Sequence, residues 1–351
     1  MKINKNNNKN RIKDVVLAIT YQCNGRCRFC NIWTNQDTFS CEVSDYKKLP
    51  YNIENVNISG GEPFLREDLP EIVKTIKNQC PKAKIIISTN GFMPCKIKEQ
   101  MQKIVKFKRD IGIAVSLDGF GIVHEKLRGF PGGFSLALET IRLLKELRIK
   151  NIKIAFTLGN QNINQLKRIY ELSKELNVEF SLAAYHNSYH YFKKENNKIV
   201  DIMNLKKEIN WLIKQELKSF SFKKWIRAYF AFGLFYFLKN KKRILPDYSG
   251  ENSLFIDPFG NIYPSDIWNL KLGNLKKISN WLDFSKEIDI KISSNKKPES
   301  WMICTTRGAI KKHYKKVVLW ILKKKFLNYE KKQKILNKNN IFSFGNLRRF
   351  L

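Results

Sequence analysis

The sequence predicts an α/β protein: a partial (β/α)6 barrel of parallel strands with a smaller C-terminal α+β extension. Short β-branched runs alternate with longer amphipathic stretches from residue 14 to about 184, which is the pattern of βα units on a parallel sheet. After about residue 190 the alternation gives way to a polar linker, aromatic-rich helical stretches and a Pro/Gly hairpin. At 351 residues and 43% apolar content, the chain has the size of one large domain, or of one domain plus an appendage. It is too apolar for a disordered chain, and seven cysteines are too few for a disulfide-stapled miniprotein.

Strands are expected over 15–20, 56–59, 84–89, 111–117, 152–157 and 178–183, with helices over 66–78, 96–107, 133–147 and 162–176. In the last helix Ile163, Leu166, Ile169, Tyr170 and Leu176 fall near helical spacing, and Asn162 suits an N-cap. In such sheets the chemistry belongs at the C-terminal ends of the strands. Further helices are expected over 205–220 and 225–238. The second is rich in Phe and Tyr but too short to span a bilayer, which leaves a helix buried between domains or an interfacial membrane contact. A hairpin over 253–256 and 262–263 turns at Asp257-Pro258-Phe259-Gly260-Asn261. Residues 310–325 form a basic amphipathic helix, packed on the protein or lying on an anionic surface. The expected organisation is a disordered basic segment 1–13, a core 14–190, a helical linker 191–250, an extension 251–309, and a basic helix and tail 310–351.

The chain carries 65 Lys+Arg against 31 Asp+Glu, a formal net charge of +34. Such a charge suits nucleic acid or anionic lipid. Lys, Asn and Ile also crowd 2–10 and 331–340, as a bias toward AT-rich codons would produce, so solvated lysines explain much of it. The N-terminus has no apolar signal core and no run approaches the ~20 apolar residues of a membrane span. A cytoplasmic protein is expected, with peripheral contact to the inner face of the membrane as an option. Three cysteines within eight residues then suggest metal ligands in a reducing compartment.

Those cysteines lie in Cys23-Asn24-Gly25-Arg26-Cys27-Arg28-Phe29-Cys30, directly after the first strand. Three thiolates on one loop can hold one compact group, and both iron–sulfur clusters and zinc favour thiolate. A structural zinc site normally closes with four ligands, and no second clustered pair follows closely. His186 and His190, four apart beyond the sixth strand, are the remaining option.

The spacing Cys-x3-Cys-x2-Cys, with Phe29 before the third cysteine, resembles the signature of radical S-adenosylmethionine (SAM) enzymes. Ser59-Gly60-Gly61-Glu62-Pro63, after strand two, resembles the family's GGEP segment, which implies backbone contacts to the methionine amino group of SAM. Two glycines also allow close backbone approach to a ligand. Ser88-Thr89-Asn90-Gly91 and Ser116-Leu117-Asp118-Gly119 end strands three and four and match the family's cofactor-facing edges. Ser116 is similar to the residue that binds the SAM ribose or carboxylate. Arg128 resembles an arginine that contacts the SAM carboxylate, a task suited to its planar fork. Asn162 resembles a position near the adenosine, although helix capping explains it equally well.

The resemblance implies a [4Fe-4S] cluster on Cys23, Cys27 and Cys30, with SAM near Phe29, Gly60, Gly61, Glu62, Pro63, Thr89, Ser116, Asp118, Arg128 and Asn162. It further implies reductive cleavage of SAM to a 5′-deoxyadenosyl radical, an electron donor of flavodoxin or ferredoxin type, and anaerobic work. Residues 257–264 and 272–275 resemble more weakly a SPASM or twitch extension, which in many relatives holds an auxiliary cluster. Here Ser265 stands where relatives place a cysteine, and Ser300 precedes Trp301-Met302-Ile303-Cys304. Cys41, Cys80, Cys95 and Cys304 are dispersed, so a degenerate, cluster-free extension is expected.

The substrate is open: lipid-linked, sugar or peptide. Only about 13 residues precede the first strand, so no N-terminal peptide-recognition domain is expected. Tyr21, Tyr185, His186 and Asp257 are candidate radical-donor or base residues, with packing or turn formation as the alternative for each. Two other readings remain: a zinc-binding protein associated with nucleic acid, and a cluster-binding protein without SAM turnover. Nucleic acid as a partner is the weaker expectation.

Overall fold

The computed structural model describes residues 11–35 and 40–327. Six strands, β1 (Asp14–Ala18), β2 (Asn55–Ser59), β3 (Lys84–Thr89), β4 (Gly112–Ser116), β5 (Asn151–Leu158) and β6 (Glu179–Ala184), pair in parallel and in chain order. Each matches a predicted strand to within a residue or two. The β-branched content favours extended backbone, and β4 is almost wholly buried, as expected of a parallel strand covered on both faces. β5 instead alternates buried and half-buried positions, so one of its faces is more open than the other.

The hairpin of the extension joins the same sheet. β7 (Ser253–Ile256) runs parallel to β1 on the side away from β2, with Val16 opposite Phe255. β8 (Asn261–Tyr263) and β9 (Gly273–Asn274) then add antiparallel, and the strand order is β6-β5-β4-β3-β2-β1-β7-β8-β9 among the described residues. At its turn Asp257 Oδ1 accepts the Phe259 and Asn261 amides at 3.0 and 2.8 Å, and Gly260 takes φ +83°. Asp257 is thereby a turn residue.

The crossover helices are α1 (Leu69–Gln79), α2 (Pro94–Val105), α3 (Ile122–Arg128), α4 (Gly133–Glu146) and α5 (Leu166–Glu175). Pro sits in the first turn of α1 and of α2, where a missing amide hydrogen costs nothing. Seven-residue α3 is too short to leave a periodic signal and was not anticipated. The expected helix 162–176 begins later, because residues 160–165 form a 3-10 turn. Asn162 therefore caps no α-helix: its Oδ1 accepts the Gly159 amide at 2.7 Å.

Beyond the sheet lie α6 (Ile202–Lys218), α7 (Phe222–Asn240), α8 (Trp281–Ser293), α9 (Ile303–Lys312) and α10 (Tyr314–Leu322). The single helix expected over 310–325 is divided at His313 between α9 and α10, followed by a π-helical turn at Lys323–Leu327. Aromatic α7 packs on α6 and α10, where Trp320 stacks on Phe232 at 4.9 Å. No helix among the described residues is long and apolar enough to cross a membrane. Of the segment 1–13 expected to be disordered, residues 1–10 lie outside the described set. Ile12 is fully buried and the Lys13 amide donates to Asn252 O at 2.9 Å, so residues 11–13 are part of the fold. The part of the tail beyond 327 is also outside the described residues.

Candidate active site

The cysteine loop is held by backbone on two sides. From the end of β2, Gly61 N donates to Thr20 O at 2.7 Å and Glu62 N to Gln22 O at 2.8 Å. A Cβ on Gly60, which has φ +133°, would lie 2.3 Å from Thr20 O, and one on Gly61 would lie 2.0 Å from Gln22 O. These glycines thus allow close approach to the chain entering the cysteine loop, and both also line the cavity. On the other side Arg26 N donates to Arg128 O and Arg28 N to Leu127 O, both at 2.9 Å. Gly129, left-handed at φ +59°, closes α3 against Arg26 O, where a Cβ would come within 2.3 Å.

So clamped, Cys23, Cys27 and Cys30 all line one cavity of about 950 Å³ that runs through the barrel from the strand starts, at Asp14, Asn55, Lys84 and Lys153, to their C-terminal ends, where the cysteines lie. Burial pushes the Cys23 thiol up to about 12, with the Glu62 charge adding to it, and raises Cys27 and Cys30 as well. At Cys27 the Arg128 guanidinium opposes the shift, with Nη1 directed at Sγ from 3.8 Å. Buried thiols of this kind give up their protons when a metal arrives to take the charge. Among the described residues no three of His, Cys, Asp and Glu converge on a single ion. A shared cavity wall of three thiols suits a polynuclear iron–sulfur group, whose thiolates sit on different irons, better than one tetrahedral zinc. The donor set therefore fits the cluster that the spacing implies.

Glu62 and Pro63 do not line the cavity. Glu62 is fully buried behind it: Oε1 accepts from Phe64 N and Thr89 Oγ1, at 3.2 and 2.9 Å, and Oε2 from Asn90 N at 2.7 Å. Burial raises its carboxyl to about 7 against the pull of these donors. It ties the end of β2 to the end of β3 and so sets Thr89, which does line the cavity, and Asn90. Asn90 Nδ2 donates to Asn24 Oδ1 at 2.6 Å, reaching the cysteine loop.

Asp118 and Asn162 also stand behind the wall. Arg128 Nε donates to Asp118 Oδ2 at 2.6 Å, Nη2 lies 2.6 Å from the same oxygen as an ion pair, and Thr157 N donates to Oδ1 at 2.6 Å. Asn162 Nδ2 donates to Asp118 O at 2.7 Å and Thr157 O at 2.9 Å. A carboxylate with no solvent exposure must be paired, so the Nε–Nη2 edge of the Arg128 fork is committed to it. Arg128 nonetheless lines the cavity, with Nη1 on the side of Cys27. Ser116 and Phe29 line the cavity. Phe29 stacks on Tyr185 at 4.5 Å and lies under Arg128 at 5.1 Å.

Of the candidate radical-donor or base residues, Tyr185 and His186 line the cavity, whereas Tyr21 and Asp257 do not. His186 Nε2 lies 3.2 Å from Asp266 Oδ2. Ser265 and Ser300, at positions where the resemblance places or expects cysteine, are buried; Ser265 Oγ accepts the Trp268 amide at 3.2 Å and Ser300 Oγ lies 3.5 Å from Asp247 Oδ2.

Sequence reading missed Tyr191 and Lys153, both in the cavity wall. Tyr191 Oη donates to Gly60 O at 3.2 Å. Lys153 sits toward the start of β5 with no ion-pair partner among the described residues. The neighbouring Glu179 is taken by Arg227 and Lys223. Burial, with Lys223 and Arg307 close by, lowers Lys153 to about 8. A polar residue on the more open face of β5 was the only available sign. From the other side α7 contributes Leu234, Phe237 and Leu238, and the turn into α9 contributes Trp301 and Cys304.

Residues 17–173 match the Radical SAM superfamily. The chain carries a radical SAM domain. Proteins of this superfamily are enzymes that use a [4Fe-4S] cluster and SAM. A probable GTP 3′,8-cyclase of Methanococcus aeolicus is 29% identical over 269 residues, covering 71% of this chain and 78% of the relative. The Fe-coproporphyrin III synthase of Methanosarcina barkeri is 31% identical over 182 residues, 50% of this chain and 44% of the relative. A probable GTP 3′,8-cyclase of Metallosphaera sedula is 28% identical over 179 residues, and the chain spans only 54% of its length. Among solved structures, SuiB of Streptococcus suis bound to S-adenosylmethionine superposes with a TM-score of 0.59 at 17% identity, covering 78% of this chain and 65% of that one. The enzyme anSMEcpe with bound AdoMet gives 0.58 at 15% identity, covering 88% and 98%. These similarities show a shared fold that extends past the radical SAM domain into the β7–β9 region.

Proposed function

We propose that the protein is a radical SAM enzyme whose cluster is held by Cys23, Cys27 and Cys30 and whose substrate lies in the barrel cavity between the strand ends and α7. The observation that carries this reading is the convergence of those cysteines with Gly60, Gly61, Thr89, Ser116 and Arg128 on one cavity. When bound, the cluster and SAM supply reductive cleavage of the sulfonium to a 5′-deoxyadenosyl radical that abstracts a substrate hydrogen. The chain's own part is positioning. Gly60 and Gly61 hold the loop at backbone distance, Glu62 sets the ends of β2 and β3, and Asp118 fixes the Arg128 guanidinium beside Cys27.

The cavity has a polar strand side, with Asn57, Ser88, Ser116 and Lys153, and an apolar side built by α7 and Trp301. That division favours an amphiphilic, lipid-linked substrate over a purely hydrophilic one. The names of the relatives span a nucleotide cyclase and a porphyrin synthase, so the fold alone does not choose between substrate classes. The β7–β9 region, which continues the sheet beside β1, is read as a twitch-like extension without a second cluster.

The test is anaerobic. The protein is reconstituted with iron and sulfide, reduced with dithionite and given SAM, and 5′-deoxyadenosine is measured by mass spectrometry. The expected result is product, with about four irons per chain. Cys27→Ala should lose both the product and the ~400 nm cluster band. A Cys27→Ala protein that keeps band and turnover, or a wild type that takes up zinc instead of iron, overturns the assignment.

A further inference from the structure

At the turn from α6 to α7, Phe220 is 92% exposed and Phe222 55% exposed. An aromatic ring held almost wholly in water at a helix–helix turn is costly to keep there unless something covers it. The surrounding charge says what that is. Residues 217–227 read Leu-Lys-Ser-Phe-Ser-Phe-Lys-Lys-Trp-Ile-Arg, and 311–325 contain seven lysines; neither segment has a carboxylate. The structure brings the two together. Lys325 Nζ donates to Leu217 O at 2.8 Å and Ser219 O at 2.9 Å, and lies 4.9 Å from the Phe220 ring and 4.4 Å from the Trp225 ring. Just before it, Leu319 (54% exposed) and Leu322 (45%) share an outer face of α10 with Lys315 at helical spacing.

We propose that this end of the molecule, the α6–α7 turn with the C-terminal end of α10, docks on an anionic lipid bilayer. Phe220, Phe222, Leu319 and Leu322 enter the interface while Lys218, Lys323 and Lys324 meet the headgroups. Apolar side chains inside a collar dominated by lysine, in which Glu179 meets Lys223, are the composition that binds membranes in the interfacial plane. Nucleic acid would be met by the same charge, yet protruding Phe and Leu offer no hydrogen bond to base edges. The surface lies outside the cavity and involves no redox chemistry, so it stands or falls independently of the enzymatic reading. It does connect to that reading through α7, whose first turn forms the docking end and whose second half, at Leu234, Phe237 and Leu238, lines the cavity.

The experiment is co-sedimentation of the full chain with phosphatidylcholine vesicles, with and without phosphatidylglycerol, over a series of salt concentrations. Binding is expected only with the anionic lipid and should weaken as salt rises. Phe220→Asp combined with Phe222→Asp should reduce the partition coefficient by about tenfold or more, and Lys323→Glu combined with Lys324→Glu should flatten the salt dependence. Each variant is checked for an unchanged far-ultraviolet spectrum and ~400 nm band; if the Asp pair disturbs the fold, Phe220→Ser alone replaces it. Equal binding to neutral vesicles overturns the proposal. So does anionic binding that neither variant reduces, which would place the contact elsewhere on the chain. Binding to duplex RNA at the same salt, lost in the Phe220 variant while vesicles remain unbound, overturns it in favour of nucleic acid.

Discussion

At the scale of single residues, the site is built from buried polar groups that satisfy one another before any ligand arrives. Asp118 and Glu62 carry no exposed surface, and each is saturated by donors from separate strand ends. Lys153 differs, because it is half-buried with no ion-pair partner among the described residues. Its proton affinity is lowered to about 8 in the folded protein, against about 10.4 for an ordinary lysine. Below pH 8 both folded and unfolded states carry the proton and the burial cost is constant. Between about 8 and 10.4 the unfolded chain holds more protons, so stability rises with pH. Lys153→Met is therefore expected to stabilise the protein by roughly 1–3 kcal/mol at pH 7. Thermal melts across pH should show that advantage shrinking above pH 8, and a variant less stable than wild type at pH 7 would contradict it. A lysine kept at such a cost, opening on the cavity, is a residue expected to serve the substrate.

At the scale of elements, α7 and the turn into α9 build the wall opposite the cysteines, and their contact depends on one glycine. A Cβ on Gly233 would lie 2.0 Å from Trp301 Cζ2. The indole cannot easily give way: it is 3% exposed, its Nε1 donates to Phe230 O at 3.0 Å, and Arg243 lies 5.2 Å from the ring. Gly→Ala within a helix would otherwise gain about 1 kcal/mol of propensity, but overpacking of this kind costs about 1–3 kcal/mol, so the clash wins. Gly233→Ala is expected to lower the melting temperature and shift the tryptophan fluorescence, whereas an unchanged melt would show that the wall repacks freely. The Gly233–Trp301 contact was not legible in the sequence. Nothing in the aromatic run 225–238 distinguishes a helix buried between domains from one that walls a cavity.

At the scale of the whole molecule, the extension and the barrel are one sheet. β1 lies between β2 and β7, and α9 is tied back to the barrel by ion pairs of Arg307 with Asp14 and Lys311 with Glu54. Truncation after residue 250 would leave β1 as a bare hydrophobic edge, a template for pairing with other chains. Insoluble protein is the expected outcome, and a soluble, cooperatively melting truncation would show that the first six strands suffice. The charge distribution acts at the same scale: the excess of lysine on α10 and its π-helical turn is brought beside the α6–α7 turn by tertiary packing alone.

The sequence by itself determined the six parallel strands, the crossover helices flanking them apart from α3, and the Cys23, Cys27, Cys30 spacing at the end of the first. Periodicity and spacing are local properties, carried by a dozen residues at a time. It also placed Gly60, Thr89 and Ser116 at strand ends or on the adjoining loops, because that follows from where the strands stop, whereas Arg128 ends the unanticipated α3. The tertiary structure alone decided what those residues touch. Arg128 turns to Asp118, Gly61 faces Gln22 O, β7 joins β1, and Lys153 and Trp301 meet the same cavity. Each is a contact between segments distant in the chain, chosen by burial and by the pairing of polar groups out of water, and no local pattern records it.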